Sequence, residues 1–340
     1  MIPPLPPLPP LHELLEGLRV VSIPMRVRFR GLATREAALL RGPAGWGEFS
    51  PFLEYPPAEA ARWLAAACEA AWLGPPPAVR TSVPVNATVP AVPPAQVLDV
   101  ISRFDGCRTA KVKVAEPGQP LRDDVARVAE VRRLLGSDAR IRVDANGAWS
   151  VGQARDALAA LAAYGLEYAE QPCATVEDLR SLRIALARNH IDVPVAADES
   201  IRKADDPLRV AREQAADLVV VKVSPLGGAR RALEIVAECG LPAVVSSAID
   251  TSVGIAAGVA LAAALPELDH ACGLGTVNLL AGDVAASPVV PVAGSIQVAV
   301  AREATADPQL LERWAAPPDR VQWWRARVAA CHAEVAGGAV

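Results

Sequence analysis

The chain has 340 residues, of which 52% are hydrophobic and 21% charged, and a formal net charge of −4. That balance supplies a sizeable core and excludes disorder along most of the length; with no block of like charge, nucleic acid is not an expected partner. The longest apolar stretch, 253–265, is too short to span a bilayer, so no membrane partner is expected either.

The Pro-rich opening has no basic region ahead of its apolar residues. It is not a secretory signal, and it reads as polyproline II or an unordered end. Residues 1–81 form one unit. Within it, 19–31 and 35–42 have the pattern of paired strands, and 44–57 that of a Gly/Pro/aromatic loop. Trp46 and Phe49 in its GWGEFSPF segment either cover a pocket or pack as the core of the loop. An amphipathic helix over 57–74 stops at Gly74. From residue 82 eight short apolar runs follow at steady spacing: 82–89, 109–116, 140–147, 166–172, 193–200, 217–224, 242–249 and 269–276. The longer segments between them carry helical periodicity. Strands alternating with helices predict parallel βαβ units, and eight of them in about 200 residues predict a TIM-type barrel. An open doubly wound sheet is the alternative, but no Gly-rich phosphate motif follows any strand. The less regular tail is expected to return to the first unit and complete an α+β cap. The predicted division is a cap over 1–81, a barrel over 82–288 and a returning tail over 289–340.

Six scattered cysteines without a C-x-x-C pair fit a reducing, cytoplasmic setting, and four histidines without metal spacing disfavour histidine-based chemistry. The basic residues are more informative. Thirty are Arg and four are Lys, and three of those four (Lys111, Lys113, Lys222) sit in apolar β-branched runs, while Lys203 lies in a polar one. Only Lys gives up its proton near neutral pH when desolvated or crowded by another cation.

The C-terminal ends of barrel strands carry active-site groups. Those ends present Lys111 and Lys113, Asp144 and Asn146, Glu170, Asp198 and Glu199, Lys222, then Ser246 and Ser247. From Lys113 through Asp144, Glu170 and Asp198 to Lys222 the spacings are 31, 26, 28 and 24 residues, close to one βα unit each. Three carboxylates converging on one mouth raise one another's pKa unless a hard cation joins them, and Mg²⁺ takes such oxygen ligands. The competing explanation pairs each acid with an Arg, Arg142 being the obvious one for Asp144. Lys111 and Lys113, at i and i+2, share a face and depress each other's pKa, which suits one of them to act as a base. Lys222 approaches from the opposite side. A substrate carboxylate between the lysines becomes an enediolate when its α-proton is removed. Asn146 is expected to meet substrate, with Glu199 and Arg142 standing behind the metal site.

The stretches AKVKVAE, RVDANGAW, YAEQPC, VAADESIR, VVVKVSPLGG, VVSSAIDTSVG and HACGLGT, spread over about 108–276, resemble the enolase superfamily, and within it the muconate-lactonising-like branch with its Lys-x-Lys base. GWGEFSPF and VNATVP are similar to it as well. The resemblance implies a (β/α)₇β barrel with an α+β cap. It implies one Mg²⁺ on Asp144, Glu170 and Asp198, Lys113 as the base tuned by Lys111, Lys222 as the opposing cation, and Ser247 near a succinyl group. The implied reaction is the loss of water from 2-succinyl-6-hydroxy-2,4-cyclohexadiene-1-carboxylate, a lyase step of menaquinone biosynthesis. An N-succinylamino acid racemase or a dipeptide epimerase shares the same positions, and a non-catalytic ligand-binding barrel is the remaining alternative. A small-molecule carboxylate is the expected partner, and a monomer or weak homo-oligomer the expected state.

Overall fold

The computed structural model describes residues 8–29, 31–203 and 206–338; most of the Pro-rich opening lies outside them. Three strands, β1 (Arg19–Phe29), β2 (Leu32–Gly42) and β3 (Gly45–Phe49), form an antiparallel sheet in the order β1-β2-β3. The GWGEF segment, expected as loop, is therefore a strand. Its glycines explain the difference: a Cβ on Gly47 would lie 2.0 Å from the carbonyl oxygen of Ala67, so glycine here lets the helix Pro57–Cys68 press onto the sheet.

The barrel strands are short and apolar because both faces are covered. After β4 (Ser82–Pro84) come β5 (Ala87–Val89), β6 (Thr109–Lys113), β7 (Arg140–Asp144), β8 (Leu166–Glu170), β9 (Val195–Ala197), β10 (Leu218–Val221) and β11 (Ala243–Val245). Strands β5 to β11 lie side by side in sequence order as one parallel sheet. An eighth segment closes it. Cys272 bridges Val85 and Gly273 bridges Ser246, both in parallel sense. A Cβ on Gly273 would meet the Ser246 hydroxyl at 2.5 Å, so a larger residue here would require Ser246 to move. Seven strand–helix units followed by a last strand make the (β/α)₇β arrangement.

The helices follow from local sequence. Leu121–Leu135 has Asp123 and Asp124 in its first turn and Arg132 and Arg133 in its last, matching the helix dipole. Val151–Leu161 opens on a capping box between Ser150 and Gln153. Ser252–Ala264 is apolar on every face because it packs against the barrel, β3 and the neighbouring helix Ala229–Cys239. It accounts for the longest apolar run without a membrane, and no helix among the described residues is long and apolar enough to cross one. Past the barrel, β12 (Ser295–Gln297) pairs with β4, so this part of the tail stays on the barrel. The tail, expected to be irregular, ends in a 19-residue helix, Pro318–Ala336. Proline at its first turn starts it, and its buried Trp324 packs edge-on against Phe49 at 5.7 Å while donating to Glu36.

Cap and barrel meet at a buried polar seam. Glu48 and Asp250 lie there together, and Asp250 Oδ1 has no partner among the described residues. Burial, and then Asp250, push the Glu48 carboxyl up from 4.5 to about 7. A carboxyl whose folded pKa is raised binds more protons folded than unfolded across that window, so its contribution to stability is lost as pH rises from about 4.5 to about 7. Urea denaturation at pH 5 and pH 7 is expected to show Glu48→Gln losing less stability over this interval than the parent chain, the difference being of order 3 kcal/mol at most. An identical pH dependence in both would refute it.

Candidate active site

Register brings the charged residues to one mouth. Lys113 pairs with Asp144, Asp144 with Glu170, and Glu170 with Ala196, two residues before Asp198. Lys113, Asp144 and Glu170 therefore share one level, and Asp198 stands just above on the next strand. Lys222 follows β10 and reaches Asp198 Oδ2 at 2.5 Å. Lys113 Nζ donates to Asp144 Oδ2 at 2.5 Å and to Asn146 Oδ1 at 2.6 Å. Lys111, one level below, donates to both oxygens of Glu170 at 2.8 and 3.0 Å.

The electrostatics separate the paired lysines. Burial, reinforced by the Lys111 charge, lowers the Lys113 pKa in spite of Asp144. Burial acts on Lys111 in the same direction but is outweighed by Glu170 and Asp144, so its pKa is raised. The expected mutual depression thus holds for Lys113 alone, because Lys111 sits between two carboxylates. Burial pushes Asp144 and Asp198 up, but Lys113 and Lys111 outweigh it at Asp144, and Lys222 and Arg202 hold Asp198 down at about 2. Glu170 goes the other way, up to about 7, through burial and the neighbouring Asp144.

Among the described residues no three acidic, histidine or cysteine side chains stand close enough together to hold an ion as placed. Each carboxylate is drawn to a lysine instead. The donor set still fits a hard divalent cation: three buried carboxylates at the ends of adjacent strands, with the buried Glu199 Oε2, which has no partner among the described residues, beside them. Three acids cannot share that mouth ionised without cationic charge, and the inward-drawn lysines supply it here.

Several supports escaped the sequence. Arg202 donates to Asp198 at 3.1 Å, to Glu199 at 2.5 Å and to Tyr55 Oη at 3.0 Å; its place four residues after Asp198 was the available signal. Gln171 is fully buried and accepts from the backbone N–H groups of Asp198 and Ser200 at 2.9 and 3.2 Å, fixing the turn after β9. Glu199 meets Asn146 and Arg202.

Two residues take partners beyond those the sequence suggested. Asn146 lines the mouth of the pocket, and its amide is engaged at both ends: Oδ1 accepts from Lys113 and Nδ2 donates to Glu199 at 3.2 Å. It orients the lysine. Arg142 was placed behind the metal acids or on Asp144. It bonds instead to Glu167 at 2.6 Å, to Ala271 O at 2.6 Å and to Asn86 at 3.2 Å, and its guanidinium stacks 4.7 Å from the Tyr168 ring. The cause is a bulge: β8 inserts Glu167 between Leu166 and Tyr168, which offers Arg142 a nearer carboxylate.

The mouth opens into a pocket walled by Ser247, Ile249 and Thr276 on the barrel side and by Phe29 and Phe52 from the cap. Ser247 donates to Gly273 O at 2.6 Å and lies 2.9 Å from the Thr276 hydroxyl. Trp46 and Phe49 do not line it. Phe49 packs on Trp324, and Trp46 lies by Arg41, so the cap contributes other aromatics than those the sequence singled out.

Comparison with known proteins gives the family and the fold. The profile described as Enolase C-terminal domain-like matches residues 96–302, and that described as Enolase N-terminal domain-like matches 20–71. The o-succinylbenzoate synthase of Mycobacterium tuberculosis strain H37Rv is 59% identical over 333 residues, covering 98% of this chain and 97% of that one. That of Mycolicibacterium smegmatis is 59% identical over 322 residues, covering 94% and 97%. Among solved structures, the muconate lactonizing enzyme of Pseudomonas fluorescens complexed with muconolactone superposes with a TM-score of 0.75 at 21% identity, over 88% of this chain and 98% of that one. The 2-chloromuconate cycloisomerase of Rhodococcus opacus 1CP gives 0.70 at 22%, with the same coverage. The barrel, the cap and near-full-length identity to these synthases lead to one assignment: the chain belongs to the enolase superfamily, and within it to the o-succinylbenzoate synthase family.

Proposed function

We propose that this enzyme dehydrates 2-succinyl-6-hydroxy-2,4-cyclohexadiene-1-carboxylate to o-succinylbenzoate with Mg²⁺ as its cation, in menaquinone biosynthesis. Members of the superfamily use a divalent metal, and Asp144, Glu170 and Asp198 would hold it. The observation that carries the dehydration is the 59% identity over 98% of the chain to an o-succinylbenzoate synthase; the α-proton chemistry is supported by Lys113 on β6 and Lys222 after β10, which line one pocket with the buried Asp144. A cation held there would supply positive charge to the substrate carboxylate.

The remaining steps belong to the side chains. Lys113, held by Asn146 and lowered in pKa, takes the α-proton as a neutral amine. The electron pair of the broken C–H bond passes into the carboxylate as the enediolate. On its return it forms the ring double bond and expels the adjacent C–O pair. The Lys113 ammonium hands its proton to the departing oxygen on the same face, and water leaves. Lys222, in its ion pair with Asp198, serves as a fixed charge. The cap aromatics Phe29 and Phe52 exclude water from the ring.

Purified enzyme with Mg²⁺ is expected to form o-succinylbenzoate with a kcat/KM at least about a hundredfold above that for racemisation of N-succinyl amino acids, since an elimination that creates an aromatic ring needs less transition-state stabilisation. The two rates are read by product absorbance and by polarimetry. Faster racemisation would move the assignment to the racemase reading.

A further inference from the structure

Of the GWGEFSPF segment only Phe52 enters the chemistry above, yet the segment's one carboxylate, Glu48, is buried and fully engaged outside its own sheet. Glu48 Oε2 accepts from the Thr251 hydroxyl at 2.5 Å, from the Thr251 N–H at 3.0 Å and from the Gly254 N–H at 3.1 Å. Its Oε1 accepts from the Ser50 hydroxyl at 2.8 Å. A cap side chain thus satisfies backbone donors at the start of the barrel helix Ser252–Ala264. The fit is close: a Cβ on Gly254 would lie 2.9 Å from Glu48 Oε2 and 2.7 Å from Asp250 Cβ. Arg35, buried on β2, holds the preceding residues. It donates to Ile249 O at 3.0 Å, to Ala248 O at 3.1 Å and to Ser50 O.

The segment gripped at both ends forms one wall of the active-site pocket. Ser247, Ala248 and Ile249 line it, and Ile249 is held at φ +63°, a conformation that a β-branched residue keeps only under restraint. The facing wall is tied to the same residues. Phe52 lies just past Ser50, and the Arg35 guanidinium stands 4.8 Å from its ring. Neither Glu48 nor Arg35 lines the pocket. Both act through the walls.

We propose that Glu48 and Arg35 form a latch between cap and barrel that sets the distance between the Phe52 wall and the Ser247–Ile249 wall, and so governs binding of the substrate arm remote from the lysines. They are positioning residues. This rests on the dehydration reading above for the identity of the substrate. Lys111, Lys113 and the three acids lie on other strands, so loosening the latch alters KM and leaves proton transfer intact.

The test compares Glu48→Ala with Glu48→Gln. Glu48→Ala is expected to raise KM about tenfold, the worth of one hydrogen bond to a charged group, with kcat within about threefold of the parent. Glu48→Gln keeps an oxygen for the Thr251 and Gly254 N–H groups and is expected to restore KM to within about threefold. Hydrogen exchange over 246–254 gives a readout independent of substrate, with protection lost in the Ala variant and retained in the Gln variant. If Glu48→Ala fails to fold, Thr251→Val, which removes the hydroxyl donor alone, is expected to raise KM about threefold and loosen the same segment. An unchanged KM in a folded Ala variant overturns the latch, as does a fall in kcat alone or unaltered exchange over 246–254. Should the parent chain not turn over the proposed substrate, the dehydration reading fails, and exchange alone decides the latch.

Discussion

Chelation is expected to abolish turnover, and added Mg²⁺ to restore it. The size of the effect follows from the charges. Without a cation Lys113 lies against Asp144 and Lys222 against Asp198. The metal-free enzyme then loses twice: no divalent charge meets the substrate carboxylate, and the amine of its base is engaged by Asp144. Losing one electrostatic contact of this kind costs roughly 2.7–4 kcal/mol, about a hundredfold or more in rate; losing the cation and the free base together should take the rate to background. Asp198→Asn tests the ligand set separately. The variant keeps a side-chain oxygen for Arg202 but leaves Lys222 without its buried carboxylate, so it is expected to unfold at somewhat lower temperature while retaining the fold. Calorimetry should show Mg²⁺ affinity reduced by at least about tenfold. Full activity after chelation, or parental Mg²⁺ affinity in Asp198→Asn, would remove Asp144, Glu170 and Asp198 from the metal reading.

The charged residues at the strand ends were legible because a barrel repeats. A parallel strand followed by a helix returns the chain to the same rim every two dozen residues or so, and an acid or lysine at each return needs no knowledge of distant contacts. The scarcity of lysine made the signal sharper. What stayed hidden depends on contacts remote in sequence. Glu48 meets Thr251 across 203 positions, and Arg35 meets Ile249 across 214. No local period links them. Arg142 shows a different limit. Its direction was readable from strand alternation, but its partner was decided by a one-residue bulge at Glu167, which displaces pairing without changing the hydrophobic pattern. GWGEF failed as a strand prediction because its glycines, which ordinarily mark loops, serve close packing on the helix Pro57–Cys68.

The second large effect distinguishes the two lysine sides. Racemisation needs a proton carrier on each face of the α-carbon, whereas a same-face dehydration needs one. Arg keeps the charge but cannot act as a base. At Lys113 the surroundings suit a guanidinium, with Asp144 and Asn146 as acceptors and the Phe29 ring 5.3 Å away, so Lys113→Arg should fold. It is nevertheless expected to lose dehydration by about a hundredfold to ten-thousandfold, the range for removing a general base. Lys222→Arg keeps a cation beside Asp198 and should retain measurable turnover, the wider fork fitting where Arg202 already shares that carboxylate. Lys222→Ala removes the charge and is expected to fall at least about tenfold below Lys222→Arg, because a fixed charge near the enediolate is worth roughly 2.7–4 kcal/mol. Melting curves and Mg²⁺ titrations on each variant separate lost chemistry from lost structure. Should Lys113→Arg turn over substrate while Lys222→Arg is dead, the base stands on the β10 side. If both Arg variants are dead with fold and metal binding intact, each lysine carries a proton, which is the signature of a racemase.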